Sequence, residues 1–151
     1  MKVYTTDKTK VYLATPIETA TRPKEEVLAY AEQVAQILES VGCEVYRPWK
    51  LHIPNALEMS NHEWGERVAV QDIVTINTCD FVTAIVYDRR EATAGVMFEL
   101  GYAYAREIDI DLVVHESAKQ ISLMVGTFAT HIYGGLENLK NGTDGYEIEV
   151  C

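Results

Sequence analysis

Phe81-Val82-Thr83-Ala84-Ile85-Val86-Tyr87, then Asp88-Arg89-Arg90-Glu91-Ala92-Thr93-Ala94-Gly95, then Val96-Met97-Phe98-Glu99-Leu100-Gly101-Tyr102-Ala103, is the stretch whose reading decides the fold. Its first seven residues are β-branched, apolar and nearly continuous, the pattern of a central parallel strand buried on both faces. A polar loop follows, and residues 94–106 then read as a helix rich in small residues. The alternation of strand and helix extends both ways. Upstream, residues 11–14 form a short apolar run stopped by Thr15-Pro16. Val27, Ala31, Val34, Leu38 and Val41 recur at helical steps over 24–41, with Pro23 near the first turn and Gly42 after the end. Residues 43–46 read as a second strand closed by Arg47-Pro48-Trp49. Residues 50–61 have no period and read as a long loop of the kind that often covers ligands. The helical period returns over 62–78. Downstream, 112–115 reads as a fourth strand, 122–128 as a short helix, 130–133 as a fifth strand and 146–150 as a possible edge strand. Such alternation argues an α/β fold with a parallel sheet covered by helices on both faces.

Length and composition agree with one domain over 1–151, with 1–10 as an N-terminal extension and 141–151 as a tail. A chain of this size buries about 68–70% of its unfolded surface, enough for a proper core. The 13 basic and 23 acidic residues give a formal charge of −10, which argues against a nucleic-acid polymer or an anionic membrane as partner. No apolar run suits a membrane span and the start has no signal-peptide core, so cytoplasmic localisation is expected. Cys43, Cys79 and Cys151 form no close pair, and His52, His62, His115 and His131 show no metal-ligand spacing. Neither a disulfide framework nor a metal site is expected.

In open parallel sheets ligands sit beyond the carboxyl ends of the strands. Thr15-Pro16, Arg47-Pro48-Trp49 and the segment from Asp88 to Gly95 occupy those places, with Asp88 ending the central strand. Glu99 stands three residues before Tyr102 and four from both Gly95 and Ala103, so it shares a helix face with small residues. It is either a solvated or paired surface acid or a functional one, since an unpartnered carboxylate is costly to bury. Asp72 interrupts the stripe Trp64, Val68, Ile76. It is either a buried acid with a task or the cap of a second helix after a break. Trp49 and Trp64 suit stacking on a nucleobase or packing in the core.

Together these residues resemble the nucleoside 2-deoxyribosyltransferase family. The resemblance rests on residues 11–16, the Asp72 helix, Cys79-Asp80 before the central strand, and Gly95 through Glu99-Leu100-Gly101-Tyr102-Ala103. Ser122-Leu123-Met124 is similar to that family's Asn-Leu-Met segment. The resemblance covers about residues 11–139. It implies a flavodoxin-like or Rossmann-like three-layer subunit with a five-stranded, mainly parallel sheet, which assembles into homo-oligomers whose neighbours complete each site. It implies Glu99 as the nucleophile at the anomeric carbon of a 2′-deoxynucleoside, Asp72 as the group that contacts and protonates the base, and Tyr12 as the residue that orients Glu99. Thr15, Pro16, Trp49, Asp88, Thr93, Gly95, Ser122 and Met124 are the expected substrate contacts, the last segment coming from a neighbour. The partners implied are a nucleoside or nucleotide and a free base, with no cofactor and no metal.

That chemistry suits these residue types. N-glycosidic cleavage passes through an oxocarbenium-like state that a carboxylate stabilises and then traps, while a second carboxyl group moves the proton to and from the base. Two positions depart from the family's pattern. Thr93 stands where a sugar-binding aspartate is usual, and Ser122 replaces the asparagine. Related nucleotide N-hydrolases carry hydroxyl residues there, and a threonine at a helix N-terminus suits a 5′-phosphate, with Arg89 and Arg90 in the same loop. A 2′-deoxynucleoside 5′-monophosphate N-glycosidase and a non-catalytic nucleotide-binding module are therefore the rival expectations.

Overall fold

The structure, a computed structural model, describes residues 7–144. Five strands, β1 (Lys10–Ala14), β2 (Glu44–Tyr46), β3 (Phe81–Val86), β4 (Asp109–Val114) and β5 (His131–Gly134), form one sheet in the order β2-β1-β3-β4-β5. All four pairings are parallel. The expected mainly parallel sheet is thus wholly parallel among the described residues. The possible edge strand at 146–150 lies outside them.

Alternation along each buried strand divides the core. Val11, Leu13, Ile85, Tyr87 and Val113 face α1 (Lys24–Ser40) and α5 (Gly135–Asn141). Tyr12, Ala14, Val82, Ala84, Leu112 and Val114 face the other way, where Ile76 of α2 (Asn61–Ile76) and Val96, Leu100 and Ala103 of α3 (Ala94–Ala105) cover them. A short helix, α4 (Leu123–Phe128), completes that layer through Val125. The order reverses between β1 and β3, where successive crossovers leave on opposite faces, so a crevice opens at the carboxyl ends of those strands.

Several boundaries moved for local reasons. Helix α2 begins at Asn61 because Ser60 and Glu63 form a reciprocal capping box. It runs unbroken through Asp72, which removes the alternative of a second helix capped there. Strand β4 starts at Asp109, where the alternating polar residues Asp109 and Asp111 conceal strand from an apolar-run reading. A single 3-10 turn, Pro48–Lys50, leads into the long loop, and a second, Ala56–Glu58, lies within it. Helix α5, which the sequence reading did not anticipate, uses Leu136 and Leu139 to cover the sheet beside α1.

The start of α5 depends on a glycine. Gly135 has φ +84°, and a Cβ there would lie 2.5–2.8 Å from the Glu116 side chain. Glu116 cannot easily yield, since it accepts hydrogen bonds from the Leu136 N–H at 2.9 Å and the Tyr30 hydroxyl at 3.0 Å. Gly135→Ala is expected to lower stability by more than ~1 kcal/mol, because strain and a clash act together. Urea unfolding of the two proteins measures the difference.

Candidate active site

Tyr12 lies on the inner strand β1 and is fully buried on the α2–α3 side of the sheet. Parallel register sets it beside Tyr46 of β2, and the two rings stack with centroids 5.5 Å apart and planes at 24°. Helix α3 is anchored by Val96, Leu100 and Ala103, which leaves Glu99 partly buried at the rim of the core. The Tyr12 hydroxyl donates to Glu99 Oε1 at 2.8 Å, across 87 residues of sequence. Asp72, only 9% exposed, reaches the same place from α2. Its Oδ1 is buried with no hydrogen-bond partner among the described residues.

The electrostatics follow from this crowding. Burial pushes the Glu99 carboxyl up to about 7, and the Asp72 charge adds to the rise while the Tyr12 hydrogen bond opposes it. Burial likewise raises Asp72, again opposed by the Tyr12 hydroxyl. Burial first, and then the charge of Glu99, raise Tyr12 far above the ordinary phenol range, so it stays a hydrogen-bond donor. Two carboxyl groups with elevated proton affinity and a fixed donor between them form a coupled acid–base pair.

This pair lines a pocket of about 880 Å³ at the carboxyl ends of β1 and β3. Thr15, Pro16, Trp49, Thr93 and Gly95 line it as well, and so does Trp64. Thr93 is the N-cap residue of α3, yet its hydroxyl makes no capping bond. The aperiodic segment contributes Leu51, His52 and Ile53, and the first residue of α1 contributes Lys24. Sequence reasoning did not single out these four. Lys24 follows the first strand and was open to the switch-point argument, whereas a loop without periodicity gives no signal for which side chains turn inward. Among the described residues no three His, Cys, Asp or Glu side chains gather into a metal-binding group.

The other expected contacts lie elsewhere. The Asp88 carboxylate accepts backbone N–H groups of Arg90 at 3.2 Å, Lys119 at 3.1 Å and Gln120 at 3.2 Å. These bonds, that from Arg90 first, hold it below the usual carboxylate range. Asp88 thereby ties the end of β3 to the loop after β4 and borders a separate recess with Arg22 and Ser117. Glu91 borders that recess too; it accepts from the hydroxyls of Thr19 and Thr21 and pairs with Arg22 at 3.4 Å. Ser122, the N-cap residue of α4, and Met124, 69% exposed, do not line the Glu99 pocket.

Comparison with known proteins places these observations in a group. A family model described as nucleoside 2-deoxyribosyltransferase matches residues 11–146. No curated protein matches. Among solved structures, a 2-deoxyribosyltransferase from Bacillus psychrosaccharolyticus superposes with TM-score 0.75 at 25% identity, over 88% of this chain and 91% of that one. A CMP N-glycosidase from Clostridium botulinum gives 0.59 at 22% identity, over 91% and 100%. A conserved protein from Enterococcus faecalis gives 0.55 at 18% identity, over 91% and 89%. The last two likenesses speak to the fold.

A stability test follows from the raised Glu99. The folded protein holds this proton more tightly than the unfolded chain, whose glutamate titrates near 4.5. The stabilisation is therefore complete below that value and is lost as pH rises through about 7. Glu99→Gln, which keeps shape and removes the charge, is expected to exceed wild type by ~3 kcal/mol above pH 7 and to match it below 4.5. Urea unfolding across that pH range reads the difference.

Proposed function

The chain belongs to the nucleoside 2-deoxyribosyltransferase family, and from that premise we propose that it cleaves the N-glycosidic bond of a 2′-deoxynucleoside with Glu99 as nucleophile. One observation carries the reading: the hydroxyl of Tyr12 holds Glu99 at 2.8 Å in a pocket that also buries Asp72. In the first half-reaction a Glu99 carboxylate oxygen bonds to C1′ as the C1′–N bond breaks. The bonding electrons leave with the base, whose nitrogen takes a proton from Asp72. The resulting deoxyribosyl ester of Glu99 is opened by the nitrogen of a second base, or by water, which returns its proton to Asp72. Tyr12 positions the attacking oxygen by occupying one side of the carboxylate, and the apolar walls limit hydration of the charge developing on the sugar.

A neutral nucleoside fits the charge of the pocket. Its walls carry three acids, Glu58, Asp72 and Glu99, against Lys24 and the histidine His52. The uncapped hydroxyl of Thr93 at the start of α3 supports a second reading, a 2′-deoxynucleoside 5′-monophosphate N-glycosidase. Assembly into homo-oligomers with shared sites is also proposed. Leu123, Met124 and Phe128 of α4 are exposed on one short helix, which suits donation of the Ser122–Met124 segment to a neighbour. Among the described residues no helix is long and apolar enough to cross a membrane.

Incubation with deoxynucleosides plus a free base, and separately with deoxynucleotides, decides between the two substrates. Exchange or release of base from the unphosphorylated substrates is expected, and release from the phosphorylated ones alone overturns the first reading. Glu99→Ala is expected to lower kcat by roughly a thousandfold or more and to abolish the covalent sugar adduct seen by mass spectrometry under denaturing conditions. The kcat/KM profile of the wild type is expected to fall on the acid side of about 7, as Glu99 takes up its proton. Tyr12→Phe removes the bond that opposes that protonation, so its acid limb is expected at higher pH.

A further inference from the structure

The loop after β3 borders two openings. Thr93 lines the Glu99 pocket, whereas Asp88, Arg90 and Glu91 line a separate recess of about 440 Å³, closed by residues of the loops after β1 and β4. The reaction proposed above uses nothing in that recess. Its fixed point is Arg22, whose guanidinium lies 5.2 Å from the ring centroid of Tyr87, a side chain only 3% exposed. Arg22 donates from Nη1 to Glu26 at 2.6 Å and from Nη2 to the Ser117 hydroxyl at 2.7 Å. Ser117 is held in turn. Its backbone N–H donates to His115 Nδ1 at 3.1 Å, which makes that nitrogen an acceptor. The Ser117 hydroxyl, 2.8 Å away, therefore donates to it too and keeps its lone pairs for Arg22. Burial first, and then the charge of Arg22, lower the proton affinity of His115, in keeping with a neutral ring. Each Nη of the anchored guanidinium retains a second N–H that no described residue accepts.

The charges of the walls point to the ligand. Arg22, Arg90 and Lys119 stand against two acids, Asp88 and Glu91. Both acids are engaged, Asp88 by three backbone N–H groups and Glu91 by two threonine hydroxyls and Arg22. Arg90 and Lys119, in contrast, enter no ion pair among the described residues. The molecule as a whole carries −10 and repels anions, and the walls of the Glu99 pocket hold more acids than cations. The recess has the reverse balance. A guanidinium presents paired N–H groups that match the oxygens of a carboxylate or a phosphoryl group. Three cations bring more charge than one carboxylate balances, which favours the doubly charged phosphoryl group. A volume of about 440 Å³ also leaves room for a small organic part beside it.

We propose that this recess is a second ligand site, which binds a phosphoryl group through Arg22, Arg90 and Lys119. Inorganic phosphate and a small phosphomonoester share that chemistry. The site is independent of the reaction assigned to Glu99: its residues touch neither Glu99 nor Asp72 by hydrogen bond or ion pair, and it stands whether or not that reaction occurs.

The test titrates the full chain with inorganic phosphate, ribose 5-phosphate, acetate and chloride at matched ionic strength, which holds screening constant. Nitrogen–proton NMR spectra follow the backbone amides of Arg90, Lys119 and Gln120 and the Arg22 Nε–H. Saturable shifts at these groups are expected with phosphate and ribose 5-phosphate; whichever of the two binds more tightly identifies the source of the phosphoryl group. Arg90→Ala combined with Lys119→Ala changes only exposed side chains and is expected to weaken binding by about tenfold or more, the scale of losing charge-assisted hydrogen bonds. Arg22→Lys, which keeps the charge and loses the paired N–H groups, is expected to weaken it as well. Thr93→Val, in the other pocket, is expected to leave it unchanged. The proposal is overturned if no shift saturates, if chloride or acetate reproduces the shifts at the same concentration, or if the double variant binds as tightly as wild type. Shifts confined to the Thr93 and Gly95 amides overturn it too, by placing the phosphoryl group in the Glu99 pocket.

Discussion

The Tyr12–Glu99 hydrogen bond is the interaction on which the site depends. Burying a carboxyl beside a second acid costs free energy unless a donor or a proton compensates. Tyr12 supplies the donor from β1, a strand hydrogen-bonded on both sides and covered on both faces. Its ring is held in turn by the stack on Tyr46. The acids come from helices whose positions are set by packing, Asp72 next to the buried Ile76 and Glu99 beside Val96, Leu100 and Ala103. A rigid donor facing two carboxyl groups with elevated proton affinity is an arrangement in which one acid can be charged while the other holds its proton.

Acidic residues elsewhere around the crevice do different work. Asp88 gathers three backbone N–H groups and Glu91 two threonine hydroxyls and an arginine. Both are held on the ionised side and secure the loops after β1, β3 and β4 to each other. Burial contributes an upward push to Asp88, Glu91, Asp72 and Glu99 alike; what separates them is the supply of donors. Where donors are abundant the charge is structural, and where one hydroxyl serves two acids burial holds both carboxyl groups above the usual carboxylate range. A chain of net charge −10 thus divides its acids by local hydrogen bonding, some held ionised as tethers and others with raised proton affinity.

Much of this was legible beforehand because it depends on local pattern. The apolar run of β3 marked the middle of the sheet, and the four-residue steps marked the face of α1 that is buried from Val27 to Leu38, whereas on α2 only Asp72 and Ile76 of the marked face are buried and Trp64 stays exposed. Asp72 was visible as an acid on an apolar stripe, and Glu99 as an acid among small residues. Less local features escaped. The start of β4 was hidden by Asp109 and Asp111, and α5 is too short for its period to register. Asp88 stood at the right end of the right strand, yet which of two adjoining recesses it borders depends on the loop after β4. Leu51, His52, Ile53 and Lys24 acquire their places only through the fold of a loop and the start of a helix.

The sequence by itself determined the α/β class, the strand that occupies the centre and the pair of acids worth attention, since hydrophobic period and residue type are written along the chain. The tertiary structure decided that the sheet is wholly parallel in the order β2-β1-β3-β4-β5 and that Tyr12 reaches Glu99. It also separated the Glu99 pocket from the Asp88 recess. Those facts rest on contacts between distant segments, Tyr12 and Glu99 being 87 residues apart and Arg22 and Ser117 95. Proton affinity belongs with them, because burial and the number of available donors are set only when distant elements close around a side chain.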